Sequence, residues 1–355
     1  MTRTRQFDDV GSSIMRSSWL TDAVRHLPPG AFAFVMATGI VSSAYGLVGQ
    51  RVISLALLVI AVLGLVLITA AMVWRVAAYR ADVLRDAGEP ARAFGFFTVV
   101  AAVNVVGVRL YTPEAPIPTV VLAVLSVPLW LLLTYGVPGT LILRDRDSPV
   151  SAEVNGSWFL WVVGTQSLAT AAAALDEHAN NAALADVAVA LWGIGVMLYI
   201  MLATLVTLRL LTTRRDPHKL GPSYWIYMGA TAITVLAGSR ILALSPDLPV
   251  FTATAAFISG FTYILWAFGM WWIPLLIVFA VWRHGIRREP VRYESELWSI
   301  VFPLGMYSVA SMHFGGVAEL PILVGIGQVG TWIAGLAWLV VTVAMVASVR
   351  TVRVP

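Results

Sequence analysis

The sequence contains no cysteine, which excludes a disulfide framework, a thiolate nucleophile and a thiolate metal site. It is also poor in charge. Only 12% of its 355 residues are Asp, Glu, Lys or Arg, about half the roughly 25% of a soluble domain. None of the 19 acidic residues falls in the middle of a long apolar run. They lie in connections or at run ends, for example Asp82, Asp86, Glu114, Asp145, Glu153, Asp176, Asp247, Glu289 and Glu319. No run offers paired carboxylates, a His cluster or a nucleophile beside a base, so a membrane-embedded enzyme is disfavoured. The same scarcity leaves a proton-coupled carrier without its usual buried acid. No cleavable signal peptide is expected either: residues 1–29 are polar and carry Arg3, Arg5, Arg16 and Arg25 before any apolar run begins.

What the sequence has is apolar length. Hydrophobic residues make up 59%, and mean hydropathy is +0.83. Runs of roughly 20 apolar residues are long enough to cross about 30 Å of hydrocarbon. Ten such runs are legible, at 30–48, 52–74, 94–112, 117–143, 157–175, 185–211, 223–244, 250–281, 297–315 and 320–349. The basic balance, with a pI near 9.6, points to cytoplasmic loops and not to nucleic acid. Of the 23 Lys and Arg, only Arg51, Arg109 and Arg240 fall on the side opposite the N-terminal arm. Clusters around Arg85, Arg146, Arg215 and Arg288 share the arm's side. Both termini are therefore expected in the cytoplasm of a multi-pass plasma-membrane protein. The expected organisation is an arm over 1–28, a transport domain over 29–349 and a tail over 350–355. Met15, Trp19, Ala23 and Leu27 recur every four residues in the arm. That spacing fits either an interfacial helix or a loosely ordered tail.

The odd-numbered runs begin near 30, 94, 157, 223 and 297, at intervals of 64, 63, 66 and 74 residues. This reads as five helical hairpins of one design. Ten of nineteen residues in the first run are Gly, Ala, Ser or Thr, as are ten of nineteen in the fifth, whereas Leu, Val and Ile fill the even runs. Small residues permit close helix approach or leave open space. The alternation predicts an inner ring of odd helices around a pore, with even helices facing lipid.

Polar residues concentrate on the odd runs: Asn104, Gln166 and His313, with Thr38 and Gly39 in the first. These five are the candidate pore-lining residues. His313 reads either as a packed, hydrogen-bonding residue or as a proton carrier. Arg109 and Arg240 each sit in a Gly-x-Arg step before a proline-rich connection. They either snorkel to headgroups or form a cationic outer vestibule that concentrates anions. In the ninth run, Phe302-Pro303 interrupts a helical pattern. Proline there removes a backbone hydrogen bond, and the phenyl ring either packs or plugs a pore.

Residues 25–349 resemble the tellurite-resistance/C4-dicarboxylate transporter family, which includes plant slow-type anion channels and fungal malate and sulfite permeases. The resemblance is carried by Pro28-Pro29-Gly30 leading into Phe34-Val35-Met36-Ala37-Thr38-Gly39, and by Trp298 to Ser311. It implies an all-α membrane fold with ten transmembrane helices, as five hairpins in quasi-five-fold arrangement around a central pore. It further implies a phenylalanine gate, here Phe302, and a homotrimer with one pore per protomer. The implied solutes are small anions of the chloride, nitrate, malate or sulfite class. No cofactor or metal is expected. A passive channel or uniporter is the first expectation, and a secondary carrier for dicarboxylates or sulfite is the alternative.

Overall fold

The computed structural model describes residues 20–145, 150–177, 179–212, 221–290 and 292–351. Several residues used above lie outside them: Met15 and Trp19 of the arm stripe, and Arg3, Arg5, Arg16, Arg146, Arg214, Arg215, Lys219 and Arg353 among the topology-setting cations. In the described part of the arm, α1 (residues 20–25) is helical, and its buried residue is Val24 while Ala23 is exposed.

Ten helices among the described residues are long and apolar enough to cross a membrane, as the ten apolar runs predict. Five are Pro29–Leu47, Ala93–Leu110, Gly156–Asp176, Pro222–Leu242 and Ser295–Val317, each a 3-10 turn continued by an α-helix: α2 (Ala33–Leu47), α5 (Phe97–Leu110), α7 (Leu160–Asp176), α9 (Ile226–Leu242) and α11 (Trp298–Val317). The other five are α3 (Arg51–Ala78), α6 (Ile117–Leu143), α8 (Ala182–Thr212), α10 (Pro249–Ala280) and α12 (Pro321–Thr351). No strand occurs among the described residues. The structure is thus an all-α, multi-pass membrane protein built from five hairpins.

The two sets differ in surroundings as their composition predicts. Between 67% and 89% of the central windows of α2, α5, α7, α9 and α11 are buried, against 17% to 39% for the other five. The buried five contact one another in closed cyclic order: α2 with α5, α5 with α7, α7 with α9, α9 with α11, and α11 with α2. Small residues sit at these seams. A Cβ added to Gly39 would lie 3.0 Å from Val105, and one added to Gly305 would lie 2.9 Å from Ile40. Without a hydrophobic drive between helices in lipid, close backbone approach is a main source of association. The peripheral helices turn Leu55, Val59, Leu63 and Val66 of α3, and their like elsewhere, outward, where aliphatic chains match lipid tails.

Four peripheral helices are also stitched to the following ring helix by a tryptophan. Trp130 of α6 donates to Thr165 Oγ1 of α7 at 3.0 Å, and Trp192 of α8 donates to the Thr234 carbonyl of α9 at 3.0 Å. Trp266 of α10 donates to Ser311 Oγ of α11 at 2.8 Å. Trp338 of α12 donates to Thr38 Oγ1 of α2 at 3.0 Å. A buried indole N–H needs a partner, and here the partner is supplied by the next hairpin.

Two charges that follow the apolar run 52–74 are buried: Arg75, in the last turn of α3, and Asp86, in the connection beyond it. Arg75 Nη2 is 2.6 Å from Asp86 Oδ2, and its Nε donates to the Arg25 carbonyl at 2.9 Å. Asp86 belongs to a short helix, α4 (Arg80–Ala87), that folds back against the end of α3. The pairing satisfies charges that would otherwise be costly to bury.

Candidate functional site

Each ring helix is entered through a single 3-10 turn: Pro29–Phe32, Ala93–Phe96, Gly156–Phe159, Pro222–Trp225 and Ser295–Leu297. These turns also contact one another in closed order, so all five ring helices start at one level. That common start makes residue positions comparable between helices. Counting four residues on from Ala33, Phe97, Leu160, Ile226 and Trp298 reaches Ala37, Ala101, Gly164, Ala230 and Phe302. All five are buried, and Phe302 is fully so. At this level four helices carry a methyl group or less, and the fifth carries a benzyl group.

Two cavities lie on either side of that level. The narrower, about 110 Å³, sits among the 3-10 turns and is lined by Gly30, Thr98, Ser157, Ser223, Glu296 and Ser299, among others. The wider, about 440 Å³, opens between the C-terminal halves of the ring helices. Its polar lining comprises Ser43, Arg51, Ser54, Asn104, Arg109, Tyr111, Ser167, Thr170, Arg240 and His313. Ser299, one turn before Phe302, faces the narrow cavity, and Met306, one turn after it, faces the wide one.

Four of the residues singled out in the sequence therefore meet in one place. Asn104, Arg109, Arg240 and His313 come from three ring helices and share the wide cavity. Asn104 is pinned there, donating to the Val100 carbonyl at 2.9 Å and to Ser126 Oγ and Ser167 Oγ at 3.1 and 3.2 Å. Arg109 donates from Nε to Ser42 Oγ at 3.2 Å and from Nη2 to Ser54 Oγ at 2.7 Å. Neutral hydroxyls hold the guanidinium but do not cancel its charge. Arg240 is paired with Glu177, whose Oε2 is 3.4 Å from Nη1. Burial, with Glu177 close by, pushes the Tyr111 phenol up, so this hydroxyl stays neutral on the wall.

The other three candidate lining residues are placed elsewhere. Thr38 bonds to the Phe34 carbonyl and receives the Trp338 indole. Gly39 lets α2 and α5 close on each other at Val105. Gln166 donates to the Trp192 carbonyl of α8 at 3.0 Å, turned toward the periphery. Each serves a helix seam.

The narrow cavity was missed from the sequence. Its signal was present, since Ser157, Ser223 and Ser295 each stand three residues before the first α-helical residue of their span. A serine at the end of an apolar run looks like any other boundary residue, so the repeat carries no sign of a cavity by itself.

Comparison with known proteins extends this picture. The sequence model of a family described as voltage-dependent anion channel matches residues 26–346. An uncharacterized membrane protein of Mycobacterium tuberculosis is 45% identical over 150 residues, which cover 42% of this chain and 76% of that protein. Two uncharacterized transporters of Methanocaldococcus jannaschii are 25% and 24% identical over 205 and 202 residues. Those matches cover 55% and 56% of this chain and about half of each transporter, 56% in both cases.

Proposed function

Because the chain belongs to the voltage-dependent anion channel family, we propose that it conducts small anions passively across the plasma membrane, through the ring of α2, α5, α7, α9 and α11. The observation that carries this reading is the position of Phe302. It is the one large side chain at a level where the other ring helices have Ala37, Ala101, Ala230 and Gly164, with a cavity on either side. A benzyl group in a passage otherwise a few ångströms wide blocks ions by its bulk and resists wetting. Phe302 is the gate, and Pro303 behind it sets the direction of the ring.

The charge of the wide cavity supports anions as the solute. Three arginines line it, Arg51, Arg109 and Arg240, and Arg109 is held by the hydroxyls of Ser42 and Ser54. Low-dielectric walls focus such a field and raise the local anion concentration. In this reading the wide cavity faces outside, the narrow one faces the cytoplasm with both termini, and protomers assemble as trimers with a pore each.

A secondary carrier for dicarboxylates or sulfite is the second reading, favoured by one observation: His313, a titratable group, lines the same cavity. Planar-bilayer recording separates the two. Unitary current steps with an anion-selective reversal potential support the channel, and saturable flux that never resolves into steps overturns it.

A further inference from the structure

Glu177 engages Arg240 at one nitrogen only. Its Oε2 lies 3.4 Å from Nη1, while Nε of the same guanidinium is buried and has no hydrogen-bond partner. The Arg240 side chain is 17% exposed and lines the wide cavity. A buried donor left unmade carries its full desolvation penalty, larger for a charged group. Nε–H and the Nη2–H beside it point the same way along one edge of the guanidinium, spaced to meet two oxygens of one anion. Nε is closed off while Glu177 holds Nη1, so the edge opens to an anion when the guanidinium leaves Glu177. Glu177 occupies the nitrogen outside that edge.

Arg109 provides the contrast. Its Nε and Nη2 are both taken, by Ser42 Oγ and Ser54 Oγ. The equivalent edge is closed, and Arg109 offers the cavity charge without a fork.

We infer that the Nε edge of Arg240 is a binding site for oxyanions that present two oxygens, such as nitrate or a carboxylate group, with Glu177 as a built-in competitor for the guanidinium. The inference deepens the proposed transport role and rests on it only in that anions reach the cavity. A halide, being spherical, gains one contact at this edge where an oxyanion gains two. Glu177, 42% exposed, swings clear when the incoming anion takes over its share of the positive charge.

The test compares nitrate with bromide, which has the same charge and sheds its water at nearly the same cost. Full-length protein in proteoliposomes should half-saturate at a nitrate concentration about threefold or more below that for bromide. Arg240→Lys keeps the charge but loses the fork, so the ratio should fall to near one. Arg109→Lys should leave the ratio unchanged, and Glu177→Gln should lower the nitrate half-saturation further. In parallel, nitrate and bromide are compared for protection of the detergent-purified protein against thermal unfolding, a readout that needs no transport. Nitrate protection that depends on Arg240, in a protein that passes no anion, would keep the site and remove the transport role. Anion flux with equal nitrate and bromide constants, or an unchanged preference in Arg240→Lys, overturns the site and leaves transport standing. Should Arg240→Lys not fold, an unchanged nitrate constant in Glu177→Gln overturns it equally.

Discussion

The indole N–H of Trp338 donates to Thr38 Oγ1 at 3.0 Å, joining the last membrane helix to the first across 300 residues of sequence. It joins the last hairpin back to the first ring helix, and Trp130, Trp192 and Trp266 join three further hairpins to the next ring helix in the same way. Interhelical hydrogen bonds in membranes contribute about 0.6 kcal/mol on average and up to about 1.7. Trp338→Phe should therefore lower the thermal midpoint of the purified protein slightly, by a loss of about 1 kcal/mol. Trp271→Phe, at a side chain 64% exposed toward lipid, should leave the midpoint unchanged. Equal shifts in the two variants would show that the bond adds nothing to closure.

Phe302→Ala tests the gate. Four neighbouring helices already carry small residues at that level, so truncation should join the two cavities. Anion conductance per folded protein should rise substantially, with anion-over-cation selectivity kept. If Phe302 served packing alone, the substitution would cost about 3–5 kcal/mol, and expression and flux would fall together. Conductance that is unchanged in a normally expressed variant would remove Phe302 from the gate.

Arg109→Gln tests the field of the wide cavity. The loss of anion flux should be greatest near 0.01 M salt, where the screening length is about 30 Å, and smaller at 0.1 M, where it is about 10 Å. The neutral glutamine can still meet Ser42 and Ser54, so folding should survive. A loss equal at all ionic strengths would mean that Arg109 acts through packing.

The absence of cysteine makes topology directly testable. Single cysteines at Arg85, Arg146, Arg215 and Arg288 should resist an impermeant thiol reagent in intact cells and react after lysis. A cysteine at Arg51, on the opposite side of the bilayer, should react without lysis. Labelling from outside at Arg288 would invert the orientation given to the two cavities.

Much of the architecture was readable without coordinates, because its determinants are local. Apolar length marks a span, and a run rich in Gly, Ala, Ser and Thr marks a helix that other helices must approach closely. The inner and outer sets of helices and the hairpin repeat, whose odd runs begin 63 to 74 residues apart, follow from those two properties. Arg109 and Arg240 were legible as well, since a cation inside an apolar run stands out against its neighbours.

Which way a residue faces was not readable. A ring helix is apolar or small on every side, packing against peripheral helices on one face and its ring neighbours on others, so it carries no amphipathic stripe to orient it. Thr38, Gly39 and Gln166 therefore looked like Asn104 and His313, and only the packing sent the first three to seams and the last two to the cavity. The partners of the arginines were equally hidden. Ser42 and Ser54 lie 67 and 55 residues from Arg109, and Glu177 lies 63 from Arg240. The sequence by itself determined that ten helices cross the membrane and which five stand inside. Tertiary structure alone decided the common level at which they start, and with it that Phe302 stands level with three alanines and a glycine, because register between helices is a property of their contacts and not of any one helix.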